Sequence, residues 1–325
     1  SSSTQREAVP GRVSVWRAPV EMPWADRVKG ILEMYLGGQA VGAAAVNLLY
    51  GHSNPCGKLA ETIPFHLEDN PSHLNFPGDG KTVHYQEGIY VGYRYYDKKN
   101  MPVRYPFGYG LSYTTFAYKN LRLDRETMKD TDTLTVTLTV ENTGDRPGKE
   151  IVELYVSSPN QSVRPVRELK HFAKVFLQPG QEKDVTMTLD KRSFAQYSEE
   201  LHDWYVPTGV YQIQIGRSSR DLVLEAPVTV ESTAVLAMEI DANTTVGDLM
   251  RNPKTSSFLQ TQLKQIQETL GGEEKKEESD AAKEAVTDEM NQAMMDSMPL
   301  RAFRSFNGMT NEALEELMEA LRKLG

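Results

Sequence analysis

The sequence predicts a multidomain protein of the α/β plus all-β class, in which a partial α/β sandwich remnant precedes a β-sandwich and a C-terminal helical extension. Three observations predict this order. Apolar residues recur at helical spacing near the start, they alternate with polar residues between 119 and 231, and charge and methionine content change after 231. The 325 residues suffice for two or three compact domains.

The first predicted domain is the α/β remnant at 18–81, which follows an unmatched segment at 1–17. Its helical signal covers 24–51, and we expect one long helix that Gly37 and Gly38 break in two. The apolar positions are Val28, Ile31, Leu32, Tyr35 and Leu36 in the first half, and Val41, Ala45, Leu48 and Leu49 in the second.

A turn with the sequence NPCGKL leads from this helix into a predicted strand at 60–63. No strand is expected before Trp16, so too few units are present to cover both faces of a parallel sheet. The apolar faces of the helix should therefore be exposed unless a partner chain or a second copy of this chain covers them.

Residues 82–118, which we call the strap, contain nine tyrosines in a mostly irregular stretch. One interpretation is a connector whose rings cover the seam between two domains, and the other is a functional loop. Sugar rings stack on aromatic faces, so Tyr85, Tyr93 and Tyr96 form a candidate subsite wall. Glu87 is the acidic residue among them, although a carboxylate beside a glycine turn often accepts backbone N–H groups instead.

Residues 119–231 predict six or seven short strands at regular spacing, which indicates a β-sandwich. The alternation of Leu134, Val136, Leu138 and Val140 points one face inward and leaves threonines outward. Because no cysteine pair joins the two sheets, the pattern resembles a fibronectin type III-like domain more than an antibody domain.

The helical tail at 232–325 holds 17 acidic and 10 basic residues and 8 of the 13 methionines. It contains a predicted polar linker near 271–285. Thr310 should cap a last helix, with Glu312 near its positive end. Two apolar stripes are predicted, one of Phe258, Leu259, Leu263, Ile266 and Leu270, and one of Leu314, Leu317, Met318, Leu321 and Leu324.

Composition argues against several kinds of partner. The net charge of −9 and the absence of a basic tract argue against nucleic acid, and no run of 18 apolar residues predicts a membrane span. The six histidines show no metal-binding spacing, and we expect neither a metal nor a cofactor. Cys56 is the single cysteine and is expected to lie near no base; it favours a cytoplasmic location, with secretion left open.

Four segments together resemble the C-terminal half of glycoside hydrolase family 3 enzymes of the β-glucosidase type. They are GGQAVGAAAVNLLYGHSNPCGKLAETIP at 37–64, YQEGIYVGYRYYDKKNMPVRYPFGYGLSYTTF at 85–116, GKEIVELYVSSPNQSVRPVRELKHFAKVFLQPG at 148–180, and MPLRAFRSFNGMTNEALEELMEAL at 298–321. The resemblance implies the end of an α/β sandwich domain, a strap, a fibronectin type III-like domain and a helical extension.

The resemblance also implies where the chemistry lies. In this family a barrel supplies an aspartate nucleophile and the α/β sandwich supplies a glutamate acid/base. A barrel needs about 250 residues, for which this chain has no room. We therefore expect no catalytic residue here, and the resemblance implies only that Tyr85, Glu87, Tyr93 and Arg94 of the strap lie near the substrate.

Two hypotheses follow. In the first, the chain is the C-terminal portion of a retaining β-glucosidase-like hydrolase that acts on a β-linked glucoside or oligosaccharide and is inactive without its missing barrel domain. In the second, it is a non-catalytic carbohydrate-binding or assembly module that docks to a separate barrel-bearing chain. Homo-oligomer formation is compatible with either hypothesis.

Overall fold

The computed structural model divides the chain into two compact units, residues 1–234 and 235–325. The residues that the structure describes are 12–14, 19–159, 162–199, 201–234, 239–270, 293–306 and 309–324.

The chain begins with two short parallel strands, β1 (Arg12–Ser14) and β2 (Ile31–Glu33), with Arg12 opposite Ile31. Two expectations for this segment are wrong. A strand does precede Trp16, and the first half of the predicted 24–51 helix is instead a 3-10 turn at Ala25–Arg27 followed by β2. Pairing with β1, which no local periodicity reveals, outweighs the helical spacing of the apolar residues.

The second half of that prediction is confirmed by helix α1 (Val41–Leu49). None of its residues is buried, although the helix is strongly apolar. Val46 is 50% exposed and Leu49 57%, and Tyr50, at the end of the helix, is 77% exposed. The expected apolar exposure is therefore present on α1.

The predicted strand at 60–63 is wrong, because only Ile63 forms a β-bridge there, with Tyr105. The partner segment contains Pro102 and Pro106, which lack the N–H donor that a longer ladder requires. Ile63 nevertheless joins a small core with Met22 and Ala25.

The strap is irregular except for helix α2 (Tyr93–Lys98). Helix α2 begins after Gly92, whose positive φ of 59° is rarely adopted by residues that carry a side chain. Within α2 only Tyr96 is buried, at 2% exposure.

Two sheets follow the strap and pack against each other. One has five strands in the order β4–β12–β11–β6–β7, and the other has three in the order β3–β5–β8. Strands β4 and β12 are parallel, and the other neighbours in both sheets are antiparallel. The bounds are β3 Phe116–Leu123, β4 Thr127–Lys129, β5 Leu134–Asn142, β6 Gly148–Ser157, β7 Glu168–Leu177, β8 Glu182–Leu189, β11 Gly209–Ser218 and β12 Asp221–Glu231.

The predicted β-sandwich is confirmed, and its first strand begins inside the strap at Phe116. Leu134, Val136, Leu138 and Val140 of β5 are all fully buried, as their alternation predicted. A short helix α3 (Lys191–Phe194) and a hairpin of β9 (Gln196–Ser198) and β10 (Asp203–Tyr205) connect β8 to β11.

The second unit is helical, with α4 (Val246–Arg251), α5 (Pro253–Leu270), α6 (Phe303–Phe306) and α7 (Asn311–Arg322). Thr310 caps α7 as predicted, because its hydroxyl accepts the N–H of Ala313 at 3.2 Å. The core of this helical unit consists of Ile240, Val246, Leu249, Leu259, Leu300, Phe303, Leu314, Leu317, Met318 and Leu321.

The prediction for Leu324 is wrong, because this residue follows the end of α7 and is 39% exposed. The predicted polar linker at 271–285 lies outside the described residues, as do the side chains of Leu263, Ile266 and Leu270.

Candidate functional site

The strap is held on both sides where it passes the sandwich. On one side the N–H of Gly108 donates to the carbonyl of Leu59 at 2.8 Å, and the N–H of Leu59 donates to Tyr109 at 2.9 Å. On the other side Ser219, which follows β11, donates its N–H to the carbonyl of Phe107 at 2.9 Å. Residues 107–109 thus connect the α/β remnant to the sandwich.

Gly108 lies very close to the sandwich. Its φ is +81°, and a β-carbon at this position would overlap both carboxylate oxygens of Glu153 on β6. Only glycine satisfies both the backbone conformation and the available space. The strap therefore lies directly against a buried acid of the sandwich.

Glu153 is only 4% exposed, and burial raises the pKa of its carboxyl to about 7. The hydroxyl of Tyr155 donates to its Oε2 at 2.6 Å, and this bond together with the nearby Lys58 ammonium opposes the rise. Near neutral pH the carboxyl is therefore divided between its protonated and ionised forms.

A second acid of β6 lies beside it. Glu150 is 5% exposed, accepts the hydroxyl of Tyr118 at 2.8 Å and pairs with Lys58 at 3.3 Å. Burial and the adjacent Glu150 raise the pKa of the Tyr118 hydroxyl. Lys58 belongs to the predicted NPCGKL turn, so this ion pair also joins the remnant to the sandwich.

The two acids cannot serve as a sugar-cleaving pair in this arrangement. A retaining glycosidase needs two carboxyl groups about 5 Å apart on either side of the bond that is cleaved, with room for the sugar. Glu150 and Glu153 are both covered by the strap and the sandwich and already have protein partners. Their arrangement supports a structural role at the seam.

Tyr93 and Arg94 of α2 face the same sandwich. The Tyr93 ring stacks on Phe107 at 4.6 Å between centroids, and its hydroxyl accepts the N–H of Leu169 at 2.8 Å. Arg94 pairs with Glu168 at 3.4 Å. Of the four residues predicted to be near the substrate, these two are thus occupied in packing between the strap and the sandwich.

Tyr85 and Glu87 lie in the part of the strap that is more exposed. Tyr85 is 81% exposed. Glu87 is half-buried, and its Oε2 is enclosed without a hydrogen-bond partner among the described residues. Tyr96, the third ring of the suggested subsite wall, is buried and cannot contact a sugar.

Cys56 has a basic neighbour that was not expected. The Lys174 ammonium of β7 lies 3.6 Å from its sulfur. Across the part of the chain that the structure describes, no group of three or more His, Cys, Asp and Glu side chains could hold a metal ion. Within the same residues, no helix is both long enough and apolar enough to cross a membrane.

Sequence reasoning missed the acids of β6. The signal was present, because Glu150 and Glu153 flank the apolar residues Ile151 and Val152 in a strand that continues with Leu154, Tyr155 and Val156. In an amphipathic strand Glu150 and Glu153 would lie on opposite faces, so two buried acids indicate a strand covered on both sides.

Two protein-family models match parts of the chain. The glycosyl hydrolase family 3 C-terminal domain matches residues 12–113, and the fibronectin type III-like domain matches residues 150–219. The first match begins at the residue where β1 begins, within the segment that was expected to match nothing.

Similar proteins cover most of this chain with only part of their own length. The thermostable β-glucosidase B of Acetivibrio thermocellus is 46% identical over 310 residues, which are 94% of this chain and 40% of that protein. The exo-α-(1→6)-L-arabinopyranosidase of Bifidobacterium longum is 44% identical over 223 residues, which are 68% of this chain and 28% of that protein.

A solved structure extends the likeness to the fold. The crystal structure of a Bifidobacterium adolescentis β-glucosidase has a TM-score of 0.70 and 42% identity, over 77% of this chain and 37% of that one. The fold and these matches define part of a glycoside hydrolase. The chain belongs to glycoside hydrolase family 3 and corresponds to the C-terminal portion of its members.

Proposed function

We propose that the complete protein hydrolyses terminal β-linked glucosides by a retaining mechanism, and that this chain supplies a C-terminal portion without the catalytic pair. The observation that carries the proposal is the 46% identity to a β-glucosidase over 94% of this chain. The chain spans less than half the length of that relative, which leaves ample sequence for the catalytic residues elsewhere.

The burial of Glu150 and Glu153 supports the second half of the proposal. A sugar cannot reach either carboxyl while the strap is in place, so neither acid can take part in hydrolysis. The exposed end of the strap supplies a candidate contact with substrate, and we assign proximity, but no catalytic role, to Tyr85 and Glu87. Tyr93 and Arg94 would then anchor the strap to the sandwich beside that exposed end.

An assay with an aryl-β-glucoside tests the proposal directly. The isolated chain should release no more aryl alcohol than buffer, whereas the same chain joined to a family 3 barrel and α/β region should turn over the substrate. Turnover by the isolated chain would overturn the assignment of catalysis to the missing portion. An inactive but folded fusion would overturn the proposed activity.

The sugar is a separate question, because relatives of similar identity carry different names. One is a β-glucosidase and another an exo-α-(1→6)-L-arabinopyranosidase. We propose the β-glucoside because the β-glucosidase match covers more of this chain. The complete protein, in which this chain is joined to its own catalytic portion, should therefore hydrolyse aryl-β-glucoside faster than aryl-α-L-arabinopyranoside.

The exposed apolar side chains of α1 favour an assembly role as well. Val46 and Leu49 of α1 are each at least half exposed, as is Leu36 ahead of the helix, and the core formed by Met22, Ala25 and Ile63 is small. We propose that the rest of the α/β domain covers α1 in the complete protein, with a barrel-bearing chain or a second copy as the alternatives. Light scattering of the isolated chain and of the fusion would distinguish these occupants.

We also propose the domain limits 18–81, 82–118, 119–231 and 232–325. We propose a cytoplasmic location as well, because a single cysteine is compatible with a reducing compartment.

A further inference from the structure

One carboxylate near the start of β7 is surrounded by three cations. Glu168 pairs with Arg164 at 3.2 Å, with Arg94 at 3.4 Å and with Lys170 at 3.4 Å. The side chains of Arg164, Lys170 and Glu168 are each more than four-fifths buried, whereas that of Arg94 is 37% exposed. The cluster is thus partly enclosed and open on the side of α2.

The neighbouring acid does not supply the missing negative charge. Asp97, one turn along α2, contacts Arg220 at 2.6 Å and lies 3.9 Å from Arg167. In the ion pairs of this region, five cations therefore share two carboxylates, although the net charge of the chain is −9. Within these ion pairs, cations outnumber carboxylates, which is the reverse of the overall balance of the molecule.

One of these cations is not fully satisfied. The Nε of Arg164 is buried and has no hydrogen-bond partner among the described residues. Burial lowers the pKa of Lys170, and the nearby Arg94 and Arg164 add to that shift, while Glu168 opposes it. A further anion would stabilise the protonated lysine and give the guanidinium an acceptor.

The donors present match one class of ligand. Guanidinium groups present planar forks that fit the oxygens of a phosphate, and an ammonium adds a compact charge. We propose that Arg94, Arg164 and Lys170 form a binding site for a phosphate group. Glu168 holds the three cations together on the inner side, and the phosphate enters from the exposed side of Arg94.

The site takes the phosphate group itself, either as the free ion or carried on a sugar. The inference does not depend on which sugar the complete protein hydrolyses. A glucoside assay and a phosphate titration can therefore fail independently.

The test uses the whole chain, titrated with inorganic phosphate at constant ionic strength by isothermal calorimetry and by amide NMR. Constant ionic strength is needed because added salt alone screens exposed charges. We expect saturable binding that shifts the amide signals of Leu169 and Lys170. Parallel titrations with glucose 6-phosphate and with glucose separate the two sources of the phosphate group.

Variants locate the site. Arg164→Gln and Lys170→Met should each weaken phosphate binding by about tenfold, because each removes one charge-assisted contact. Arg94→Gln removes a more exposed side chain, so it tests the site even where the other variants do not fold. Arg122→Gln, which breaks a pair with Asp184 whose side chains are 60% and 54% exposed, is the matched control and should leave the affinity unchanged.

The outcomes decide the proposal. Equal affinity for phosphate and glucose 6-phosphate identifies the free ion as sufficient, and tighter binding of glucose 6-phosphate identifies a sugar phosphate; both support the site. The site is overturned if neither compound shifts Leu169 or Lys170 more than chloride does. It is equally overturned if Arg94→Gln binds phosphate as tightly as the unaltered chain.

Discussion

The backbone of Gly108 lies directly against the carboxylate of Glu153, with no space for a β-carbon between them. This contact joins a strap residue to a buried strand of the sandwich. Because Glu153 also accepts the Tyr155 hydroxyl, any group inserted at residue 108 must displace a carboxyl that already has a partner.

Gly108→Ala should therefore destabilise the first unit by about 2–4 kcal/mol, from the unfavourable φ together with overpacking. Urea denaturation followed by intrinsic fluorescence measures the change. Gly57→Ala is the control, since a β-carbon at Gly57 meets no atom within 4 Å. Equal effects of the two substitutions would refute the importance of the Gly108 contact.

The raised pKa of Glu153 gives stability a specific dependence on pH. The folded carboxyl binds its proton up to about pH 7, whereas the unfolded one releases it near 4.5. Between these values the folded state holds more protons, so stability falls as pH rises through this window and stays constant above it. The loss that this group contributes amounts to about 3 kcal/mol.

Glu153→Gln removes this titration. Relative to the variant, the unaltered chain should lose stability between pH 4.5 and about 7, and the difference should be small below that range. Urea midpoints measured across this range check the result. Glu126→Gln, at an exposed position, should follow the unaltered chain at every pH. A constant difference between the Glu153 variant and the unaltered chain would contradict the assignment.

The Lys58–Glu150 pair should contribute far more than the surface pairs. Lys58→Met leaves Glu150 buried without its cation, and we expect a loss of about 3 kcal/mol, because an isolated buried charge is costly. Arg122→Met breaks an exposed pair and should cost less than about 1 kcal/mol. The double variant Lys58→Met/Glu150→Gln should recover part of the loss. Similar values for the two single variants would argue against a buried pair at the seam.

The helical unit offers a matched pair of leucines. Leu321 is fully buried and Leu324 is 39% exposed. Leu321→Ala should reduce the stability of this unit by about 2–5 kcal/mol through cavity formation. Leu324→Ala should change it by less than about 0.5 kcal/mol. Thermal unfolding followed by circular dichroism at a helical wavelength measures both, and a large effect at Leu324 would place it in the core after all.

The elements that local sequence determines were predicted well. The alternation of β5 depends only on neighbouring residues, and the hydroxyl of Thr310 caps α7 three residues away. The first half of the 24–51 segment was predicted wrongly because the partner of β2 lies about twenty residues upstream. Local periodicity carries no information about such pairing.

The residues of the candidate site were likewise predicted only as far as local sequence determines them. The tyrosine-rich strap was visible in the sequence, but the contacts of Tyr93 with Phe107 and Leu169 depend on how the strap meets the sandwich. The pKa of Glu153 likewise depends on the burial of its carboxyl where the strap meets the sandwich. Neither property could be read from the composition of the segment alone.

The attachment of residues 107–109 on both sides also bears on limited proteolysis. The chain between Lys81 and Gly92 is largely exposed and precedes this attachment. A protease that nicks it would leave the earlier fragment bound through Leu59 and Ile63 to the later one. The two fragments should co-elute under native conditions and separate only in denaturant, so the seam would permit reconstitution from separately expressed halves.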